Sequence, residues 1–322
     1  MILFQPTPLL GSGSIQKNNH PIKKLKVKEE TEIAHKRFLV GMIASMFCWG
    51  ISWPVGKILA SYGASENMAF LRFALTFLSL LLILFFTKEK LFISKNGWWI
   101  LIGASICMTL YGYLFLEGLN HGKAGAGGVL VTTLNPIITY AVTMLISLKA
   151  PSGKEITGLL IGLVAGAVLV KVWVNGASIL ETGNLYFVSA TITWAILSKF
   201  TALSHRYGSP VSFSLWMYGI CSLFMLFFTD NHTTFTILKE SDVKFWISLF
   251  FSATITTSLA TTFYFYATTK IGANKASGYI FMVPLSAAIG SWIILDELPL
   301  WNTLLGGLLG ILAVYILNKG GK

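Results

Sequence analysis

Charge is scarce in this chain. Only 11% of its 322 residues are Asp, Glu, Lys or Arg, against roughly 25% in soluble domains. Hydrophobic residues make up 54%, and the mean hydropathy is +0.70. One water-soluble core cannot hide that much apolar surface, which leaves lipid as the natural solvent. Cysteine is scarcer still. Cys48, Cys107 and Cys221 all lie in apolar runs, with no C-x-x-C pair and no His beside them. That pattern excludes a disulfide framework and a zinc module and makes the three packing residues. No H-E-x-x-H, phosphate loop or Asp-rich cluster occurs. The groups needed for metal hydrolysis, nucleotide hydrolysis or prenyl transfer are therefore missing, so no catalytic residue, metal or cofactor is expected and the chain does not read as an enzyme.

Acids and imidazoles are also missing from the places where a proton relay would need them. The three Asp residues, Asp230, Asp242 and Asp296, and the five His residues fall in loops, tails or helix ends. Glu117 alone approaches the interior of an apolar run. Proton coupling consequently has little support, and facilitated or exchange transport fits at least as well.

What the chain does have is a succession of apolar runs bounded by Gly, Pro or charge, each near the roughly 20 residues that a bilayer core requires. They lie near 38–61, 67–87, 97–118, 124–148, 155–175, 184–205, 210–229, 245–269, 273–296 and 299–318. The expectation is an all-α integral membrane protein with ten transmembrane helices. Residues 1–36 are polar and end in a basic segment without the apolar core of a secretory signal, so they read as a flexible cytoplasmic tail. With that tail inside, the outer loops carry only Lys123, Lys171, Lys239 and Lys244. Lys88, Lys90, Lys95, Lys149, Lys154, Arg206, Lys270, Lys275, Lys319 and Lys322 join the inner side. Both termini are then cytoplasmic, and the formal charge of +11 reflects topology rather than nucleic-acid binding.

The two halves repeat. At an offset of 148, Trp98 aligns with Trp246, Pro136 with Pro284, Pro151 with Pro299, Gly158 with Gly306 and Gly162 with Gly310. At 145, Trp49 aligns with Trp194, and Tyr62 and Gly63 with Tyr207 and Gly208. Because five spans are an odd number, a duplicated five-helix unit must enter the membrane from opposite sides. Inverted repeats of this kind support alternating access around a midplane solute site.

The segments FCWGISWPVGKILA at 47–60, FLRF at 70–73 and TLNPIITYAVTMLISLKAPSGKEITGLLIGLVAGAVLV at 133–170 resemble the EamA repeat of the drug/metabolite transporter superfamily. So do TWAILSKFTALSHRYG at 193–208 and MVPLSAAIGSWIILDELPLWNTLLGGLLGILAVYIL at 282–317. The resemblance extends over roughly 38–318, with one repeat at 37–176 and the other at 183–319. Where the repeat's fourth helix ends in Glu, as at Glu297, the first half has Lys149. The resemblance implies a permease or efflux carrier in a bacterial inner membrane or a plasma membrane. Its cavity would be lined by helices one, three, four, six, eight and nine, and it would carry amino acids, other metabolites or drugs.

Candidate site residues follow from chemistry at depth. Pro136 and Pro284 sit mid-span, where each frees the carbonyl four residues back, at Thr132 and Ile280; they are either static kinks or paired bends that shape a gate. Thr132, Asn135, Thr139 and Thr143 form one polar stripe and Thr254, Thr257, Ser258 and Thr261 another, as interhelical glue or as cavity wall. Asn135 is the sharper candidate, since an amide at midplane needs partners. Trp49 and Trp194 lie mid-span, and Tyr111, Tyr264 and Tyr279 bring hydroxyls inward; if these line the site, the solute has an apolar or planar part. Trp98, Trp99, Trp246 and Trp301 read as interfacial anchors. Lys57 and Arg72 read as snorkelling to the outer headgroups, whereas Lys199 is deep enough to attract an anionic solute. Gly158, Gly162 and Gly166, echoed by Gly306 and Gly310, read as close packing between repeats in a monomer, or as a homodimer face. The reading that emerges is a transporter of a small metabolite, for example an amino acid or a related solute. A membrane sensor, a structural protein and an embedded transferase are the alternatives.

Overall fold

Backbone N–H and C=O groups in hydrocarbon have no water to bond, so an apolar run must satisfy them within itself, and helix is the local solution. In the computed structural model, which describes residues 21–87, 90–122, 124–147, 150–175, 182–287, 289 and 301–318, every regular element is helical. The chain runs α1 (Pro21–Ala60), α2 (Ser65–Thr87), α3 (Trp98–His121), α4 (Ala124–Ser147), α5 (Gly153–Val170), the short α6 (Val172–Asn175), α7 (Thr182–Leu203), α8 (Pro210–Leu226), α9 (Asn231–Glu240) and α10 (Val243–Phe250). A π-helical stretch, Phe251–Thr261, leads into α11 (Thr262–Gly278) and a 3-10 turn, Tyr279–Met282; α12 (Trp301–Asn318) closes the chain.

Several boundaries depart from expectation for identifiable reasons. Helix α1 begins at Pro21, inside the expected tail, so the first span is the later part of a longer helix. Helix α5 opens on a capping box, in which Ser152 Oγ accepts from the Glu155 N–H and the Glu155 carboxylate accepts from the Ser152 N–H at 2.7 Å. It stops at Lys171, whose left-handed φ of 52° ends the helix short of the expected 175. Helix α9 was expected to be loop. Asp230 caps it by accepting from the N–H groups of His232 and Thr233, and α9 lies at 111° to α8.

Among the described residues, six helices are long and apolar enough to cross a membrane, or seven if the bent α8–α9 pair counts as one. One of the six is the 45-residue run Val243–Ala287, which contains Gly272 at φ 80° and ψ 156°. A side chain at that φ would be strained, so glycine is what allows the chain to turn there.

The two halves interlock rather than forming separate lobes. Helix α3 packs on α7, α5 on α12, α2 on α8, α4 on α7, and α1 on the π-helical stretch. Small residues permit these approaches. A Cβ at Gly50 would collide with Ser286 and the backbone of Ala287, so α1 and the 283–287 segment touch main chain to main chain, and Ser286 Oγ donates to the Met46 carbonyl at 2.9 Å. Gly158 abuts Leu317, Gly162 the Phe281 ring and Gly306 Leu169, so the small-residue stripes pack α5 against the second half within one chain.

Candidate functional site

Between the halves lies a cavity of about 520 Å³, a figure that includes the space open towards its mouth. Its wall includes Trp49, Tyr111, Thr132, Asn135, Trp194 and Thr261, all named as candidates from sequence, together with Arg72, Trp53, Phe115 and Thr256.

The aromatic lining is a connected cluster. Trp49 and Trp194, equivalent in the repeat, meet edge to face at 5.0 Å and 87°. Tyr111 lies 4.5 Å from Trp194, and Tyr264 sits behind both indoles at 4.9 Å from Trp49 and 5.8 Å from Trp194. Trp49 Nε1 donates to Thr261 Oγ1 at 3.1 Å, which fixes its ring plane. Offset and edge-to-face contacts of this kind hold rings in place and leave a flat apolar surface for a solute.

Polar groups enter from three helices. Asn135, 1% exposed, accepts from Thr139 Oγ1 through Oδ1 at 3.4 Å, while its Nδ2 has no hydrogen-bond partner. Thr256 Oγ1 is likewise buried and unpartnered. Arg72 is 7% exposed, so the expected snorkelling is corrected: its side chain turns inward to the cavity. Its Nε and Nη2 donate to Thr257 Oγ1 at 3.3 and 3.1 Å, and its Cζ stands 5.5 Å from the Phe115 ring centroid. Thr257 belongs to the π-helical stretch, where Thr257, Ser258 and Thr261 each donate to the carbonyl five residues back. Three further bonds tie α2 to this stretch: Thr76 Oγ1 to the Ala253 carbonyl, Ser79 to Thr254, and Ser258 Oγ to the Thr76 carbonyl. The second polar stripe is therefore largely engaged with α2 and with its own backbone, and of its four residues Thr261 reaches the cavity wall, beside Thr256.

Lys199, Tyr264 and Tyr279 stand outside the cavity wall. Lys199 donates to Thr143 Oγ1 and to Asn274 Oδ1, the latter at 2.8 Å, and so joins α7, α4 and α11. Helix α4 remains helical through Pro136, whereas the carbonyl of Ile280, four residues before Pro284, lies in the 3-10 turn that tightens the backbone there. Pro54, within α1, was not singled out in the sequence; its carbonyl four residues back is that of Gly50, at the close contact with 286–287. Glu117 lies off the cavity wall beside His121, at 3.4 Å from Nδ1. Among the described residues no group of three His, Cys, Asp or Glu side chains could hold a metal.

A helical membrane protein with a central cavity between interlocked halves, walled by aromatic rings and a few convergent donors, is built as a carrier of small solutes. The EamA-like transporter family matches residues 37–171 and again 181–319, so the chain belongs to that family and to the drug/metabolite transporter superfamily. Among its relatives are the uncharacterized transporter YvbV of Bacillus subtilis (strain 168), 27% identical over 85% of this chain and 89% of the relative, and the uncharacterized transporter YoaV of the same organism, 25% identical over 85% and 94%. The chloroplastic WAT1-related protein At3g02690 of Arabidopsis thaliana is 24% identical over 86% of this chain and 68% of its own length. A solved crystal structure shares the fold, with a TM-score of 0.64 at 11% identity over 87% of this chain and 96% of that one.

Proposed function

We propose that this membrane transporter moves a small metabolite with an apolar or planar part by alternating access between two inverted five-helix repeats. The observation that carries the reading is the cavity at the contact of the halves, with repeat-equivalent Trp49 and Trp194 touching across it. Ten spans follow if the 45-residue run Val243–Ala287 divides at Gly272, because about 67 Å of continuous helix is twice the hydrocarbon thickness. α5, α8 and α12 then join the remaining five long helices as spans.

Each face of the bundle has a contact between halves that an alternating cycle would break. On the face assigned outside, Tyr62 donates to Asp242 at 2.6 Å and Asn67 donates to Thr234 at 3.0 Å. On the cytoplasmic face, Lys199, Thr143 and Asn274 form the counterpart. Opening one face while the other holds is the motion that inverted repeats permit.

The test is solute counterflow in proteoliposomes containing the purified chain, with labelled amino acids, aromatic acids, neutral indoles and cationic amines, each with and without a pH gradient. Counterflow of at least one class, lost when cysteines placed at 62 and 242 are crosslinked, is the expected result. Absence of counterflow for every class, or flux indifferent to the crosslink, would refute alternating access.

A further inference from the structure

Arg72 is a charge without an opposite charge. Among the described residues no carboxylate lies within ion-pair distance of it. Two of the five N–H groups of a guanidinium are engaged by the single hydroxyl of Thr257, and Phe115 adds a ring face. One hydroxyl and one ring do not repay the removal of a guanidinium from water in the middle of a bundle. The remaining donors are beside a cavity whose unpartnered polar atoms include Asn135 Nδ2 and Thr256 Oγ1, which can also donate.

The hydroxyl of Thr257 is committed as well. It donates to the Ser252 carbonyl at 2.7 Å, so it can only accept from Arg72, and the π-helical backbone supplies that carbonyl five residues back. Thr257 therefore positions Arg72 without neutralising it. The wall thus combines a cation and donors with flat rings.

We infer that Arg72 is an anion subsite and that the solute is a small carboxylate with a planar apolar body, its carboxylate on Arg72 and Asn135 and its body on Trp49, Tyr111 and Trp194. A guanidinium fork matches the two oxygens of a carboxylate, and the match is worth most where water is excluded. This assignment rests on the cavity being the transport site, and it deepens that reading by naming the class of solute.

The experiment pairs isosteres. The full chain, purified in detergent, is titrated calorimetrically with 3-phenylpropionate, indole-3-acetate and benzoate, and with 3-phenylpropionamide and 3-phenylpropylamine as the neutral and cationic counterparts. Expected is binding of at least one carboxylate, with 3-phenylpropionate bound at least tenfold more tightly than its amide and the amine not bound. Arg72→Gln should remove that preference, Arg72→Lys should restore part of it, and Thr257→Val should weaken carboxylate binding while leaving amide binding alone. The wild-type comparison of acid with amide needs no variant, so misfolding of Arg72→Gln cannot hide the answer. Equal binding of acid and amide, or binding of none of the three acids, overturns the assignment. Counterflow separates the two readings. If neutral or cationic solutes move and Arg72→Gln carries them as wild type does, transport stands and the anion site falls; if acids bind through Arg72 but no solute moves, the anion site stands and the transport reading falls.

Discussion

Replacing Asn135 by Ala separates recognition from folding better than any other change at the cavity. Its Nδ2 is buried and unpartnered, and a buried donor without an acceptor costs about 1–3 kcal/mol, which the substitution removes. The bond lost is the 3.4 Å contact from Thr139, whose hydroxyl can turn instead to the carbonyl four residues back on its own helix. Since Asn135 lines an existing cavity, its truncation enlarges that space rather than sealing a new void. The balance puts the stability change within about 1 kcal/mol of zero, in either direction. A hydrogen bond from Nδ2 to solute is worth about 0.5–1.5 kcal/mol if the acceptor is neutral and about 1.5–3 kcal/mol if it is charged. A loss of about 1.4 kcal/mol is tenfold in affinity. Counterflow at low solute concentration should thus fall about tenfold, while the thermal unfolding midpoint, read by tryptophan fluorescence, stays put or rises. Trp194→Ala should also impair transport, but it removes a buried indole with four ring neighbours and confounds the two effects. Wild-type flux in Asn135→Ala, or a stability loss above about 2 kcal/mol accompanying the transport defect, would refute a recognition role.

Three further outcomes are expected. Cysteines placed at 62–66 should react with an impermeant thiol reagent added to intact cells and those at 88–95 should not; the reverse pattern would invert the topology. Glu117→Gln should leave flux nearly intact and indifferent to a pH gradient, because Glu117 pairs with His121 away from the cavity wall; acceleration by an inward proton gradient that the variant abolishes would place it on the pathway. The Tyr62 hydroxyl holds the Asp242 carboxyl below its ordinary value of 3.8, helped by the Phe245 N–H, so the stability from this contact is complete above 3.8 and drains away as pH falls through the lower folded value. Melting midpoints measured down through that window should fall more steeply for wild type than for Tyr62→Phe, and parallel curves would show that the contact contributes nothing.

Much of the cavity wall was legible because aromatic or polar residues deep in an apolar run stand out against their neighbours. Trp49, Tyr111, Asn135, Trp194 and Thr261 carry that signal, and all five line the cavity. Tyr264 carries it too and packs behind the two indoles, since depth along a helix does not say which layer a ring occupies. Lys199 shows the same limit for charge: its depth stands out in the sequence, and only the fold shows that it donates to Thr143 and Asn274.

Sequence by itself determined the solvent, the family and the duplicated plan, because these depend on composition, run length and register along one chain. Tertiary structure alone decided where Arg72 points. Two turns into α2, an Arg is equally able to reach headgroups or a protein interior, and the difference is set by the rotation of α2 about its axis against neighbours distant in sequence. The π-helical stretch was invisible for a related reason: an i−5 ladder and an i−4 ladder use the same residues, and what accompanies the wider one here is the docking of Arg72, Thr76 and Ser79 against it.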